Sequence, residues 1–169
     1  MNISTEDSIS NQDDFEPIHL FDTDLKLKHL GYGEWVEEPD QYGFVHKGLK
    51  CFIRRQFFYE DEQGQGGYLC GYVELPETFD RELIDDLEVH GGITYRNKLE
   101  NKENFWVGFD CAHCDDLVPS IEIFKKNNYK NDRRFFPTFA TLVYRNISYV
   151  ENQCRSLADQ IQERANVKI

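Results

Sequence analysis

Near its C-terminus the chain specifies one helix clearly. Ser148 and Glu151 stand in the S-x-x-E arrangement of a capping box, and Val150, Cys154, Leu157 and Ile161 recur on one face of a helix running to about Arg164. A helix with a single apolar stripe has to bury that stripe against another element. The sequence before it supplies strands for the purpose. Gly48 to Tyr59 and Tyr68 to Leu75 are aromatic and apolar runs joined by the charged, glycine-containing stretch Glu60 to Gly67, which reads as a β-hairpin with a long tip. Val89 to Arg96 and Phe105 to Ala112, around the polar loop Asn97 to Asn104, read as a second hairpin. The expected fold class is therefore α+β: an antiparallel sheet of hairpins with two or three helices packed on it, including the C-terminal amphipathic helix.

The remaining segments are less regular. Between Leu25 and Val45 the glycines and Pro39 suggest short strands and turns with little helix. Asp80 can cap a short helix through Leu87, a second helix is expected over Ser120 to Asn127, and a further strand over Phe135 to Arg145. Residues 1 to 17 carry five carboxylates and no Lys or Arg, so they read as a disordered acidic tail ahead of a single domain spanning 18 to 169.

Charge narrows the function. Against 31 acidic residues stand 19 basic ones, a net charge of −12 with pI near 4.8. Such a surface does not neutralise phosphates, so direct binding to nucleic acid or an anionic membrane is not expected, and a basic protein partner is. The chain shows neither a secretory signal nor an apolar run long enough to span a bilayer, and its five cysteines are odd in number and irregularly spaced. A reduced, cytosolic protein is the expectation. No P-loop, nucleophile elbow or dinucleotide fingerprint occurs.

Chemistry concentrates in Val-His-Gly-Gly-Ile-Thr-Tyr at 89 to 95 and in Trp106 to Asp116. If the second hairpin is centred near Glu100, His90 lies opposite Asp110, within reach of a shared ligand. His113 and Asp116 follow Asp110 at intervals of three, which keeps all three side chains in one sector of a turn. His90, Asp110, His113 and Asp116 thus form a nitrogen and oxygen set suited to tetrahedral zinc. A thiolate set, Cys111 and Cys114 with His113 or His90 and Cys70, is the rival. A purely structural role also fits: His90 hydrogen-bonded in a core, Asp110 capping the turn, Asp115 and Asp116 at a helix start.

The same stretches, Val-His-Gly-Gly-Ile-Thr-Tyr at 89 to 95, Trp-Val-Gly-Phe-Asp-Cys-Ala-His at 106 to 113 with Asp116 and Pro119, and Tyr144-Arg145 with Tyr149-Val150, resemble a family of small proteins carried by bacteriophages and mobile elements. One kind of member is similar to a metal-containing anti-CRISPR protein. The resemblance implies one structural zinc, with His90, Asp110, His113 and Asp116 as ligands, and action by binding a type II CRISPR effector nuclease in the cytoplasm of a bacterial host. The acidic residues Glu82, Asp85, Asp86 and Glu88 are then the expected partner-binding surface, blocking the loading or cleavage of target DNA. Two alternatives stay open. One is a metal-dependent hydrolase with an open zinc position and Asp115 or Glu88 as base; the other is a metal-free interaction module.

Overall fold

The computed structural model of the chain describes residues 16–57, 66–129 and 141–166. Lys47 and Gly48 both take positive φ, 47° and 81°, the conformation of a two-residue hairpin turn that suits the twist of its strands. This turn joins β1 (Gln41–His46) to β2 (Leu49–Arg55), with His46 opposite Leu49. The sheet continues through β3 (Leu69–Glu74), β4 (Tyr95–Lys98) and β5 (Phe105–Asp110) in the order β1-β2-β3-β5-β4, every neighbouring pair antiparallel. Helices α1 (Thr23–Leu30), α2 (Pro119–Asn128) and α3 (Ile147–Asn166) complete the expected α+β architecture. No helix among the described residues is long and apolar enough to cross a membrane.

The C-terminal helix supplies the core the sequence promised. Val150, Cys154, Leu157, Ala158 and Ile161 of α3 are fully buried and share a cluster with Cys51, Ile53, Val73, Val107 and Phe109 of the sheet. Each large aliphatic side chain removed from water in this way contributes up to ~1.5–3 kcal/mol. Gly71 sets the closeness of that contact: a Cβ there would lie 2.7 Å from Cys154 Sγ and 2.5 Å from Phe109 Cζ. On the opposite face Phe52, Tyr72, Tyr95 and Trp106 pack together, with Tyr72 and Tyr95 edge to face at 5.3 Å. Central β3 is therefore buried on both faces, and β5 likewise, as their apolar composition requires.

Several expectations are corrected. The start of α3 is not the Ser148 and Glu151 box: Asn146 Oδ1 accepts the Tyr149 N–H at 3.0 Å, and Glu38 Oε1 accepts the Ile147 N–H at 3.0 Å. Asn caps as well as Ser and stands two residues earlier, so the helix is already under way at Ser148, and Glu151 pairs instead with Arg155 one turn on. Between Leu25 and Val45 the expectation of short strands and turns overlooked most of α1. That helix is polar, and the residues it buries are Lys26 and Leu30; its cap, Asp22 Oδ1 on the Leu25 N–H at 2.7 Å, lies just outside the stretch. The segment after Asp80 is a 3₁₀ turn, Arg81–Asp86, capped by the Asp80 side chain. The strand expected over 135 to 145 lies mostly outside the described residues; its described end makes one parallel bridge, Val143 to Asp116. The acidic tail (apart from its last residues) and most of the long hairpin tip also lie outside them.

A buried ionic network ties α1 to the sheet. Asp40, fully buried, receives Lys26 Nζ and Arg55 Nε at 2.9 Å on one oxygen and the Leu20 and Phe21 N–H groups on the other. Arg55 also donates to Glu38, Gly67 O and the Tyr144 hydroxyl, and Lys26 to the carbonyls of Trp35 and Glu38. Two buried cations face two carboxylates, with a polar partner on every side.

Candidate metal centre

The second hairpin is shorter than expected. Val89 to Gly92 form a turn closed by Gly92 N–H to Val89 O at 2.9 Å, with Gly91 at φ 67° in the position that reserves a left-handed conformation for glycine. Pairing resumes only at Thr94, whose N–H reaches Gly108 O, and Tyr95 lies opposite Gly108, not Phe105. His90 is consequently not across from Asp110. It sits on a strap that passes along α3, which grips it through side chains one to two turns apart: Gln153 Oε1 accepts the His90 N–H, Gln160 binds both backbone groups of Glu88, and Arg164 reaches Asp86 O.

From the other side β5 delivers its turn. The strand ends at Asp110, whose Oδ1 accepts the Ala112 N–H at 3.1 Å, and Asp116 N–H closes back on His113 O. This brings His113 and Asp116 under the strap. Gly91 makes room for the imidazole, since a Cβ there would fall 2.1 Å from His113 Nε2.

Three of the four expected ligands converge. The donor atoms of His90, His113 and Asp116 lie within 4.8 Å of one another, the group of such residues found among those described. Asp116, its side chain wholly buried, is the hub. Its Oδ2 stands 2.8 Å from His90 Nε2, 2.9 Å from the His113 backbone N, whose hydrogen it accepts, and 3.4 Å from His113 Nδ1; its Oδ1 accepts from Arg145 Nε at 2.8 Å. Burial alone would raise its pKa, but Arg145, His90 and the His113 N–H together outweigh that and hold it below the ordinary carboxylate value. A carboxylate can only accept, so His90 carries a hydrogen on Nε2, and its Nδ1 is hydrogen-bonded to the Tyr149 hydroxyl at 2.9 Å. Arg145 also covers the Tyr149 ring at 4.9 Å.

Asp110 remains outside the group. It projects beside Cys70 on the sheet face away from α3, with Oδ1 3.9 Å from His113 Nδ1. None of the cysteines joins either. Cys70 and Cys111 are buried, which pushes both thiols up, Cys70 to about 11, and Cys114 is exposed.

One atom bears on whether this cluster suits a cation. His113 Nδ1 is buried without a hydrogen-bond partner, although Asp116 Oδ2 is 3.4 Å away. An imidazole nitrogen left unsatisfied beside an ionised carboxylate and a second imidazole fits a divalent ion with N and O ligands. The residues that sequence reasoning missed are Arg145, Tyr149 and Gln153. Two of them stood in the stretch that carries the family resemblance, but no spacing rule connects a helix start to a turn about thirty residues earlier, as for Arg145 and Asp116.

Glu82, Asp85, Asp86 and Glu88 are all exposed along the strap and the 3₁₀ turn before it. Asp85 is engaged by Arg96, a surface pair of small energetic weight. No protein-family model matches the chain, and neither a curated protein nor a solved structure matches it.

Proposed function

We propose that the protein is a non-catalytic, phage-encoded inhibitor that holds one structural zinc and binds a type II CRISPR nuclease through its acidic strap. His90, His113 and Asp116 hold the ion, with Asp110 beside His113 as a candidate fourth ligand. The observation that carries the metal is the unpartnered His113 Nδ1 facing Asp116 Oδ2. When bound, the ion fastens the strap to the β5 turn, so that four exposed carboxylates stand on a fixed support. A surface of this sign suits a groove built for nucleic acid, and the family resemblance supplies the nuclease. Action is in the cytoplasm of the bacterial host. Elemental analysis and co-purification with type II nucleases test the reading. About one zinc per chain and loss of target cleavage are expected; absence of metal removes the zinc, and normal cleavage with no complex removes the partner.

A second reading has one observation in its favour. Three converging protein ligands leave a tetrahedral zinc shell one short, the arrangement of a catalytic zinc hydrolase. The bases considered for it fit poorly: Asp115 is held by Arg145 at 3.1 Å, and Glu88 lies on the exposed strap. Zinc-dependent turnover of activated esters or phosphodiesters, lost in His113→Ala, supports this alternative.

A further inference from the structure

Tyr149 lies on a different element from every candidate ligand, yet its hydroxyl is the partner of His90 Nδ1, at 2.9 Å and with the rings perpendicular. His90 therefore has both ring nitrogens assigned, Nε2 to Asp116 and Nδ1 to Tyr149. For Nε2 to ligate a cation it has to give up its hydrogen, and a neutral imidazole then carries that hydrogen on Nδ1. For a neutral ring, the group facing Nδ1 donates before the ion binds and accepts afterwards. A hydroxyl does both; a carboxylate, an ammonium or a carbonyl does one.

We propose that Tyr149 is the positioning residue of the metal centre, acting through a His90 hydrogen bond that reverses direction when zinc binds. This rests on the metal reading given above and specifies how the ligand set is held. With zinc absent, the phenol O–H donates to Nδ1 and Nε2–H donates to Asp116. With zinc bound, Nε2 would ligate and Nδ1–H would donate to the phenol oxygen. Arg145 plays the matching part for the carboxylate: by occupying Asp116 Oδ1 it leaves Oδ2 as the atom turned toward both imidazoles. The two anchors stand four residues apart at the entry to α3, so the helix that covers the sheet also aims the ligands. Outer hydrogen bonds of this kind commonly control metal affinity by roughly 10- to 100-fold.

The test uses the full chain with zinc as the only ligand. Competition with a chromophoric chelator gives the affinity, and ¹⁵N spectra of the histidine rings report which nitrogen of His90 carries hydrogen. In the wild type, addition of one equivalent of zinc is expected to move that hydrogen from Nε2 to Nδ1. Tyr149→Phe is expected to retain its fold by circular dichroism and to bind zinc about 10- to 100-fold more weakly. If His90 keeps its hydrogen on Nε2 with zinc bound, or if Tyr149→Phe binds as tightly as the wild type, the inference is overturned while the metal centre stands. A wild type that takes up no zinc overturns both. The ring spectra of the wild type decide the matter even if the variant does not fold.

Discussion

Two polar networks beneath the surface, among the described residues, differ in how completely they are closed. Around Asp40, each oxygen of the carboxylate has two donors, and Lys26 and Arg55 spend their donors on carboxylates, carbonyls and one phenol. Around Asp116 the accounting stops short, because His113 Nδ1 is buried and has no partner. A buried network satisfied in every direction is architecture: its charges are safe only while all of them are present. One that leaves a ligand-type nitrogen idle has a capacity the fold itself does not use. The contrast separates a latch from a candidate site without any appeal to sequence similarity.

The largest effect should come from breaking the closed network. Asp40→Ala leaves buried Lys26 without a carboxylate and Arg55 with Glu38 alone, and a loss of roughly 3 to 5 kcal/mol in denaturant unfolding is expected, enough to abolish folding of a marginal domain. A loss under about 1 kcal/mol would mean that Lys26 and Arg55 find water, and the distinction between the networks would weaken. Zinc supplies the next effect. At free zinc a hundredfold above its dissociation constant the wild type should gain about 2.7 kcal/mol, and His90→Ala and His113→Ala should gain nothing. Stabilisation of the alanine variants equal to that of the wild type would place the ion elsewhere.

Acid should affect the open network in a defined direction. Asp116 sits below its ordinary value of 3.8, so the ionised carboxylate stabilises the metal-free fold above that pH and the contribution is lost as pH falls through its folded pKa. Asp116→Asn is expected to flatten the acid limb of the stability profile measured in chelator. Helix capping gives the smallest effects and sharpens the point at which the two networks meet. Asn146→Ala should cost about 1 kcal/mol, whereas Glu151→Gln should cost no more than about 0.5 kcal/mol, the worth of a single-turn surface pair. Equal costs would restore the capping box that the sequence suggested.

The sequence was most legible where periodicity and burial coincide. The stripe from Val150 to Ile161 and the alternation along Phe105 to Asp110 announced α3 and β5 because these elements bury what they display. Helix α1 was hidden by its own chemistry, since a buried Lys26 counts as polar until Asp40 is seen beside it. The site was half legible. The spacing of His113 and Asp116 is local and survived; the pairing of His90 with Asp110 depended on hairpin register, which the connecting loop between Lys98 and Phe105 places three residues from the expected one, while the turn at Gly91 and Gly92 takes His90 out of the strand altogether. Tyr149 and Arg145 could not be assigned a role in advance, because their contacts cross 59 and 29 positions of the chain.

The adjacency of Tyr144 and Arg145 has a consequence for biosynthesis. One hydroxyl serves the Asp40 latch and the next guanidinium serves Asp116, and both are translated after every strand of the sheet. Until that dipeptide and the helix after it have left the ribosome, the nascent chain has an uncovered sheet face and two unfinished polar clusters. A chain that stops before Tyr144 lacks α3 and both of these contacts, and is expected to be degraded faster than the full chain.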